Sequence, residues 1–178
     1  MYYIACGPSS DRPGREGHMI PSQSEYDNFY IAYGEALGAW ANVEHSLSSV
    51  FEFHISSNEL LVSHAVFWSL QGFRARLDVT TAAVESSGRS PDAIEEWRKI
   101  STKLSRKSKS RNKLAHFSPC FGREKPGRDY RMFLGDPKSP FSGSIIRQEE
   151  LKEWTSAFIN LSHETSRFFH NAIKDGSD

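Results

Sequence analysis

Three residues near the middle of the chain have side chains suited to phosphodiester chemistry. Arg111, Asn112 and His116 lie within six positions, and Ser118-Pro119 follows closely. An imidazole can move a proton to or from a ribose 2′-OH or a leaving 5′-oxygen near neutral pH. A guanidinium stays charged and can bind phosphate oxygens through two donors, while an amide can orient either group. Residues of these types could cleave RNA without a metal ion.

Helical spacing limits how these side chains can meet. Arg111 and His116 are five positions apart, which separates them by roughly 140° around an α-helix. Asn112 and His116 are four positions apart and share a face. The spacing also has an ordinary explanation, because arginine and histidine in the last turns of a helix favour its negative end. If the residues do form a site, a helix end or a dimer seam fits the spacing better than a single helix.

A carboxylate interrupts an apolar helical row earlier in the chain. Glu44 lies between Trp40 and Leu47 in a pattern that steps by four and three positions. A buried carboxylate needs a partner, because removing its charge from water costs several kcal/mol. Arg111 is one candidate partner, and the pair would position the guanidinium. Alternatively, Val43 occupies the core position and Glu44 lies at the boundary of the core.

A run of cations without an acid leads into the motif between positions 98 and 113. Such a run could bind a phosphate backbone, and the alternative is a solvated helix face balanced by acids elsewhere. The formal net charge of the chain is +0, so only a local patch can favour nucleic acid. The candidate RNA-binding residues in this run are Lys103, Arg106, Lys107, Lys109 and Lys113.

Proline positions show where helices can run. None of the eight prolines falls within 22–90, 92–118 or 141–178, and proline breaks helix interiors. Apolar residues at helical spacing predict helices over about 24–54, 59–84, 91–117 and 148–173. Ser90 before Pro91 is a typical start for the third. We therefore predict an all-α fold, a four- to five-helix up-and-down bundle.

The segments between these helices suggest an arm, one helical domain and a tail. Residues 1–23 contain prolines and glycines without periodicity and predict an extended or flexible arm. Residues 24–175 predict one domain, and 176–178 a short tail. Residues 118–147 predict an irregular insertion before the last helix. Within it, Asp129–Leu134 and Ser144–Arg147 could pair as a short β-hairpin.

The composition favours a cytoplasmic protein. The two cysteines have no metal-ligand spacing, and a reducing compartment is the simpler interpretation. No apolar run is long enough to span a bilayer, so we predict no membrane segment. The histidines outside the motif form no metal-ligand pattern either. We predict no metal and no cofactor.

The hexapeptide Arg-Asn-Lys-Leu-Ala-His at 111–116, at the end of the third predicted helix, resembles the motif of the HEPN superfamily. That motif is an arginine, a polar residue that is often asparagine, a short spacer and a histidine. The segment from Trp40 to Leu47 is similar to the first long helix of such domains. The insertion after the histidine and the segment from Glu150 to Trp154 are also similar to several members. The resemblance extends over roughly residues 24 to 175.

The resemblance implies a helical bundle that forms a homodimer with the two motifs facing each other. Many members are metal-independent endoribonucleases of toxin–antitoxin, CRISPR or other defence systems, so RNA and an antitoxin are expected partners. By motif position, Arg111 and His116 would be catalytic, with Asn112 supporting them. Some members have a tyrosine two residues after the histidine, where a nucleotidyltransferase antitoxin modifies them, but this chain has Ser118. Other members have lost activity and bind RNA or protein, which is the alternative function here.

Overall fold

A computed structural model describes residues 3–5, 21–55, 60–123, 130–139 and 144–175. The predicted tail and most of the predicted arm lie outside these ranges. The described residues are mostly helical, and the last strand of a small sheet precedes the final helix. This architecture confirms the predicted all-α fold class. The helices are α1 (Gln23–His54), α2 (Leu60–Ser69), α3 (Phe73–Ser86), α4 (Pro91–His116) and α5 (Gln148–Asp175). The strands are β1 (Tyr3–Ala5), β2 (Ser118–Arg123), β3 (Arg131–Gly135) and β4 (Ile145–Ile146).

Side-chain caps and proline define the ends of the long helices. The Ser22 hydroxyl accepts the backbone N–H of Glu25 at 3.2 Å at the start of α1. The Ser90 hydroxyl accepts the N–H of Ala93 at 3.3 Å at the start of α4. Each bond satisfies a backbone donor that has no partner inside the helix. The predicted start of α4 at Pro91 is confirmed, and its end lies three residues before Pro119.

The single helix predicted over 59–84 is wrong, because the structure divides it into α2 and α3. The break falls at Gly72, whose φ of 82° lies in the left-handed region. Glycine has no Cβ and adopts this conformation at little cost, so it can end one helix and orient the next without a proline. The apolar pattern continues across the break, and periodicity alone therefore did not reveal it.

One compact unit comprises Met1–Ala36 and Asn112–Trp154. Its antiparallel sheet has the order β1-β2-β3-β4, so β2 pairs with β1 and β3, and β4 pairs with β3. The pairing of Leu134 with Ile146 confirms the predicted hairpin. Strands β1 and β2 were not predicted. In particular, Tyr3–Ala5 belongs to the predicted arm but pairs with β2 in the register Tyr3 to Arg123.

Two long-range hydrogen bonds stabilise this unit. The Tyr33 hydroxyl donates to the carbonyl oxygen of Leu114 at 2.9 Å and thereby links α1 to the last turn of α4. The Met132 N–H donates to the Glu25 carboxylate at 3.2 Å and links β3 to α1. Leu114 itself is fully buried. The end of α4 that carries His116 is therefore held by packing and by a carbonyl bond.

The second unit comprises Leu37–Arg111 and Thr155–Asp178 and has an aromatic core. Trp40 on α1 packs edge-on against Phe73 and Phe158, with ring centroids 4.7 and 5.1 Å away. Trp97 on α4 is fully buried and lies 5.3 Å from the ring of Phe168. These large side chains bury much apolar surface, which is the main stabilising term in folding. None of the described helices is long and apolar enough to cross a membrane.

His54, at the end of α1, is a buried titratable group of the second unit. It is 7% exposed, and its Nδ1 donates to the carbonyl oxygen of Val50 at 2.7 Å. Its Nε2 has no hydrogen-bond partner among the described residues. Burial lowers the pKa of His54 below the ordinary value; the Val50 bond opposes this effect and the charge of Arg89 adds to it. The folded protein thus favours the neutral ring.

We expect the free energy of unfolding to fall as the pH drops below about 6.5, where an unfolded histidine begins to bind a proton. The contribution of His54 is fully present above that pH and is lost as the pH falls through its lower folded pKa. Urea unfolding between pH 8 and 5.5 measures it. In His54→Phe the free energy of unfolding should depend less on pH over this range. His163→Gln, at an exposed position on α5, should show the same pH dependence as the wild type. An unaltered slope in His54→Phe would contradict the assignment.

Candidate functional site

The three motif residues lie on the last two turns of α4. Arg111 is half-buried, whereas Asn112 and His116 are exposed. His116 is the final residue of the helix, and the next N–H, that of Phe117, donates to the Lys113 carbonyl at 2.8 Å. Since α4 is helical throughout this segment, the predicted separation of about 140° around the helix axis applies to Arg111 and His116. The division between the two compact units falls between Arg111 and Asn112.

Glu44 on α1 lies between two arginines inside the second unit. A terminal nitrogen of Arg111 is 3.9 Å from its Oε1, and a terminal nitrogen of Arg76, on α3, is 3.6 Å from its Oε2. The side chains of Glu44 and Arg76 are 14% and 15% exposed, whereas that of Arg111 is 32% exposed. We call these three residues the arginine–glutamate cluster. The predicted partner of Glu44 is present, and Arg76 is a second, more buried one.

Both interpretations of the apolar row in α1 describe part of the structure. Val43 is fully buried and takes the core position. Glu44 is next to it, half-buried and paired with arginines. Both ion-pair distances exceed the usual hydrogen-bond range of about 2.7–3.2 Å, and Glu44 Oε1 accepts no hydrogen bond within the described ranges. The carboxylate is therefore held by charge more than by close hydrogen bonds.

Arg76 is fixed by aromatic side chains as well as by charge. The centre of its guanidinium lies 4.5 Å from the ring centroid of Trp68 and 5.6 Å from that of Phe67, both on α2. A cation over an aromatic face is attracted by about 0.5–2 kcal/mol, more when water is excluded. Arg76 Nε and the Trp68 indole N–H are buried and have no acceptor among the described residues. The cluster thus has one net positive charge, and Arg76 Nε is a donor without an acceptor among the described residues.

Arg76 was missed at the sequence level. It follows a charge-free stretch that ends at Phe73, and Arg74 precedes it by two positions. Arg74 is 75% exposed and pairs with Asp78 four residues later. Nothing in the spacing distinguishes the two arginines, because the break at Gly72 resets the orientation of α3. An arginine between Ala75 and Leu77 in an apolar arc was the only available signal.

The cationic run on α4 is balanced by acids in its first half and unbalanced in its second half. Arg98, Lys99 and Lys103 form ion pairs with Glu85, Glu95 and Glu164. Arg106 and Lys109 are exposed, Lys107 and Lys113 are half-buried, and none of these four has an ion pair with another described residue. The ammonium of Lys113 lies 5.9 Å from the ring centroid of Phe117. The unbalanced cations are those nearest the motif.

A cleft of about 730 Å³ opens in the unit that contains the sheet. Its lining combines acidic, basic and apolar side chains from α1, the sheet and the start of α5. None of the motif residues contributes to it. The lining residues are Glu25, Gly122, Tyr130, Arg131, Met132, Phe133, Ile145, Arg147, Gln148 and Glu149.

No protein-family model, curated protein or solved structure matches this chain.

Proposed function

We propose that the chain is a metal-independent endoribonuclease of the HEPN type. The observation that carries this proposal is the contrast between two motif residues on α4. His116 is exposed at the helix end, where it can reach a substrate, whereas Arg111 is half-buried and oriented by Glu44 at 3.9 Å. Phosphodiester cleavage requires an accessible group that can accept and donate a proton, and a guanidinium positioned to bind the phosphate.

In the proposed reaction, the imidazole of His116 accepts the proton of a ribose 2′-OH. The 2′-oxygen then forms a bond to phosphorus, and the bond between phosphorus and the 5′-oxygen breaks. The leaving 5′-oxygen takes a proton from the protonated ring of His116. The two products carry a 2′,3′-cyclic phosphate and a 5′-OH. Arg111 stabilises the charge that develops on the phosphate oxygens, and Asn112 orients the imidazole or a phosphate oxygen.

A homodimer would complete this site. The divergent directions of Arg111 and His116 on one helix favour a site that uses residues from two copies. Helix α2 offers a candidate surface for the second copy, because it contains no Asp, Glu, Lys or Arg but buries only Ser63 and Phe67. A helix that is hydrophobic all round is normally buried, and the polar residues of α2 are limited to Ser63, His64 and Ser69. Its exposed large apolar side chains are Leu60, Leu61, Val62 and Val66.

The same helix carries Trp68, which covers Arg76. Leu61 and Trp68 are seven positions apart and share a face of α2. A second copy docked along that face would therefore lie next to the arginine–glutamate cluster. Apart from His64, whose Nδ1 lies 2.9 Å from a carboxylate oxygen of Glu52, this face has no ionisable side chain. Such a surface needs no oppositely charged partner, which suits contact between identical surfaces about a two-fold axis.

We expect Leu61→Glu to convert a dimer into monomers. Leu61 is 84% exposed, so the change should leave the fold intact while placing a charge in the apolar contact. The dimer dissociation constant should rise at least about thirtyfold, as for a central interface residue. Light scattering after size-exclusion chromatography measures the mass. Ile159→Glu, at a 40% exposed position on α5, is the matched control, and an unchanged mass in Leu61→Glu would exclude α2 from the interface.

Incubation of the wild-type protein with single-stranded RNA in excess chelator tests the proposed activity. Cleavage should continue, should yield cyclic phosphate ends, and should fail at a position substituted with 2′-deoxyribose. Arg111→Ala and His116→Ala should both be inactive. Equal cleavage by all three proteins would remove the motif from the mechanism. As a toxin or defence effector, the wild type should also slow the growth of an expressing cell, and His116→Ala should relieve this effect.

A non-catalytic RNA-binding module is the second candidate function. The exposed and unbalanced Arg106 and Lys109 support RNA contact whether or not the RNA is cut. The binding module predicts salt-dependent affinity for RNA that is equal in wild type and His116→Ala, with no cleavage by either protein. The ribonuclease proposal predicts cleavage by the wild type only.

A further inference from the structure

The strongest feature that the proposed function does not explain is the second arginine beside Glu44. We infer that Arg76 is a positioning residue that keeps Glu44 neutralised while Arg111 turns from Glu44 to the phosphate of the substrate. This inference rests on the proposed function. It assigns a role to a side chain that lies outside the motif and comes from a different helix.

The difference in exposure between the two arginines indicates which of them stays. Arg76 is 15% exposed and stacked on Trp68 at 4.5 Å, so it is restrained by a partner on α2 as well as by Glu44. Arg111 is 32% exposed, about twice the fraction of Arg76, and its terminal nitrogen lies 3.9 Å from Glu44. Arg76 is therefore the more deeply buried partner of the carboxylate, and Arg111 is the partner that a phosphate in solvent can reach.

The charge of the cluster explains why two arginines are needed. If Arg111 were the sole partner of Glu44, its transfer to a phosphate would leave a carboxylate that is only 14% exposed without a counter-ion. Leaving such a charge unpaired is costly, and this cost would oppose phosphate binding. With Arg76 in place, Glu44 keeps a partner at 3.6 Å throughout. Glu44 then orients Arg111 but competes only weakly with the phosphate for its guanidinium.

The critical experiment measures kcat/KM for RNA in four proteins: wild type, Arg76→Met, Glu44→Gln and the double variant. Arg76→Met should lower kcat/KM about tenfold, since coupled charged residues commonly interact on this scale. In the Glu44→Gln background the same change should alter kcat/KM less than about twofold, because no buried carboxylate remains to hold Arg111. The rate is expressed per folded molecule, well below the unfolding temperature, so that a loss of stability alone does not register.

Two further variants keep the experiment informative. Arg76→Lys retains the charge and should keep most of the activity, which covers the case in which Arg76→Met does not fold. Arg74→Met is the matched control on α3, because Arg74 is 75% exposed and pairs with Asp78, away from the cluster. Its activity should equal that of the wild type.

A second measurement separates this inference from the proposed function. The probe is a fully 2′-O-methylated single-stranded RNA, which can bind but cannot be cleaved through the 2′-oxygen. Its affinity should fall about tenfold in Arg76→Met and recover in the double variant. Wild-type cleavage with full activity in Arg76→Met would overturn the role of Arg76 and leave the ribonuclease intact. If the wild type binds the probe but cleaves no RNA, the proposed function fails and the affinities of the four proteins decide the role of Arg76.

Discussion

Replacing His116 with alanine should lower the rate of RNA cleavage by about 10²- to 10⁴-fold, the usual contribution of a positioned acid or base. The exposed imidazole ends α4, so its loss should not open the core. The loss of a histidine from the negative end of the helix costs at most about 1 kcal/mol at an exposed position. We therefore expect normal folding, normal RNA affinity and a defect confined to kcat.

His163→Ala is the control for this prediction. His163 is also exposed, but it lies on α5 and outside the motif, so its removal should leave kcat unchanged. Single-turnover cleavage with saturating protein isolates the chemical step from binding. If His116→Ala and His163→Ala cleave equally fast, the proton carrier must be another residue, and the resemblance of the motif to the HEPN motif would not extend to a catalytic role for His116.

The long helices were predictable because their signals are local. Ser90-Pro91 combines a side-chain cap with a residue whose missing N–H costs nothing in the first turn, and the structure begins α4 there. Apolar residues at helical spacing marked the extents of α1 and α5 to within two residues of those observed. The hairpin of β3 and β4 was also indicated by composition, since short apolar segments alternate there with turn residues.

The features that were missed depend on the three-dimensional fold. The first strand, Tyr3–Ala5, pairs with residues more than a hundred positions away in the sequence. A segment of three residues is too short to show a periodicity that would predict this pairing. Likewise, Gly72 is one glycine among twelve, and only its φ of 82° shows that it divides two helices. The position of Arg76 follows from that break. Its role beside Glu44 could not have been read from the spacing.

The candidate site was partly predictable for a related reason. A charged residue in an apolar helical row requires a counter-ion, so Glu44 implied a cationic partner. Arg111 was the candidate because the apolar row of its own helix becomes polar where Arg111 lies. The apolar pattern of the sequence requires one partner for Glu44 but does not show how many partners are present. The second arginine changes the charge of the cluster, since Glu44 has Arg76 as a partner besides Arg111. Helix periodicity therefore indicated the pairing of Glu44 with Arg111, whereas the tertiary structure showed the second arginine beside Glu44.

Replacing Arg111 with alanine should lower kcat/KM by about 10²- to 10³-fold, the cost of removing one stabilising donor from a developing oxyanion. The fold should survive, because Glu44 keeps Arg76 at 3.6 Å. Arg111→Lys should recover little of the loss. Lysine keeps the charge but cannot bind two phosphate oxygens through a planar fork, and from this position it would also have to pair with Glu44.

Arg106→Ala separates this effect from general attraction to RNA. Arg106 lies on the same helix but is exposed and has no ion pair with a described residue, so its loss should raise KM and reduce the salt dependence of binding while kcat stays the same. Arg111→Ala should instead lower kcat at saturating RNA. Thermal unfolding of both variants should resemble that of the wild type. Full activity in Arg111→Lys would show that a point charge is enough, and it would remove the argument that Glu44 aims a guanidinium at the phosphate.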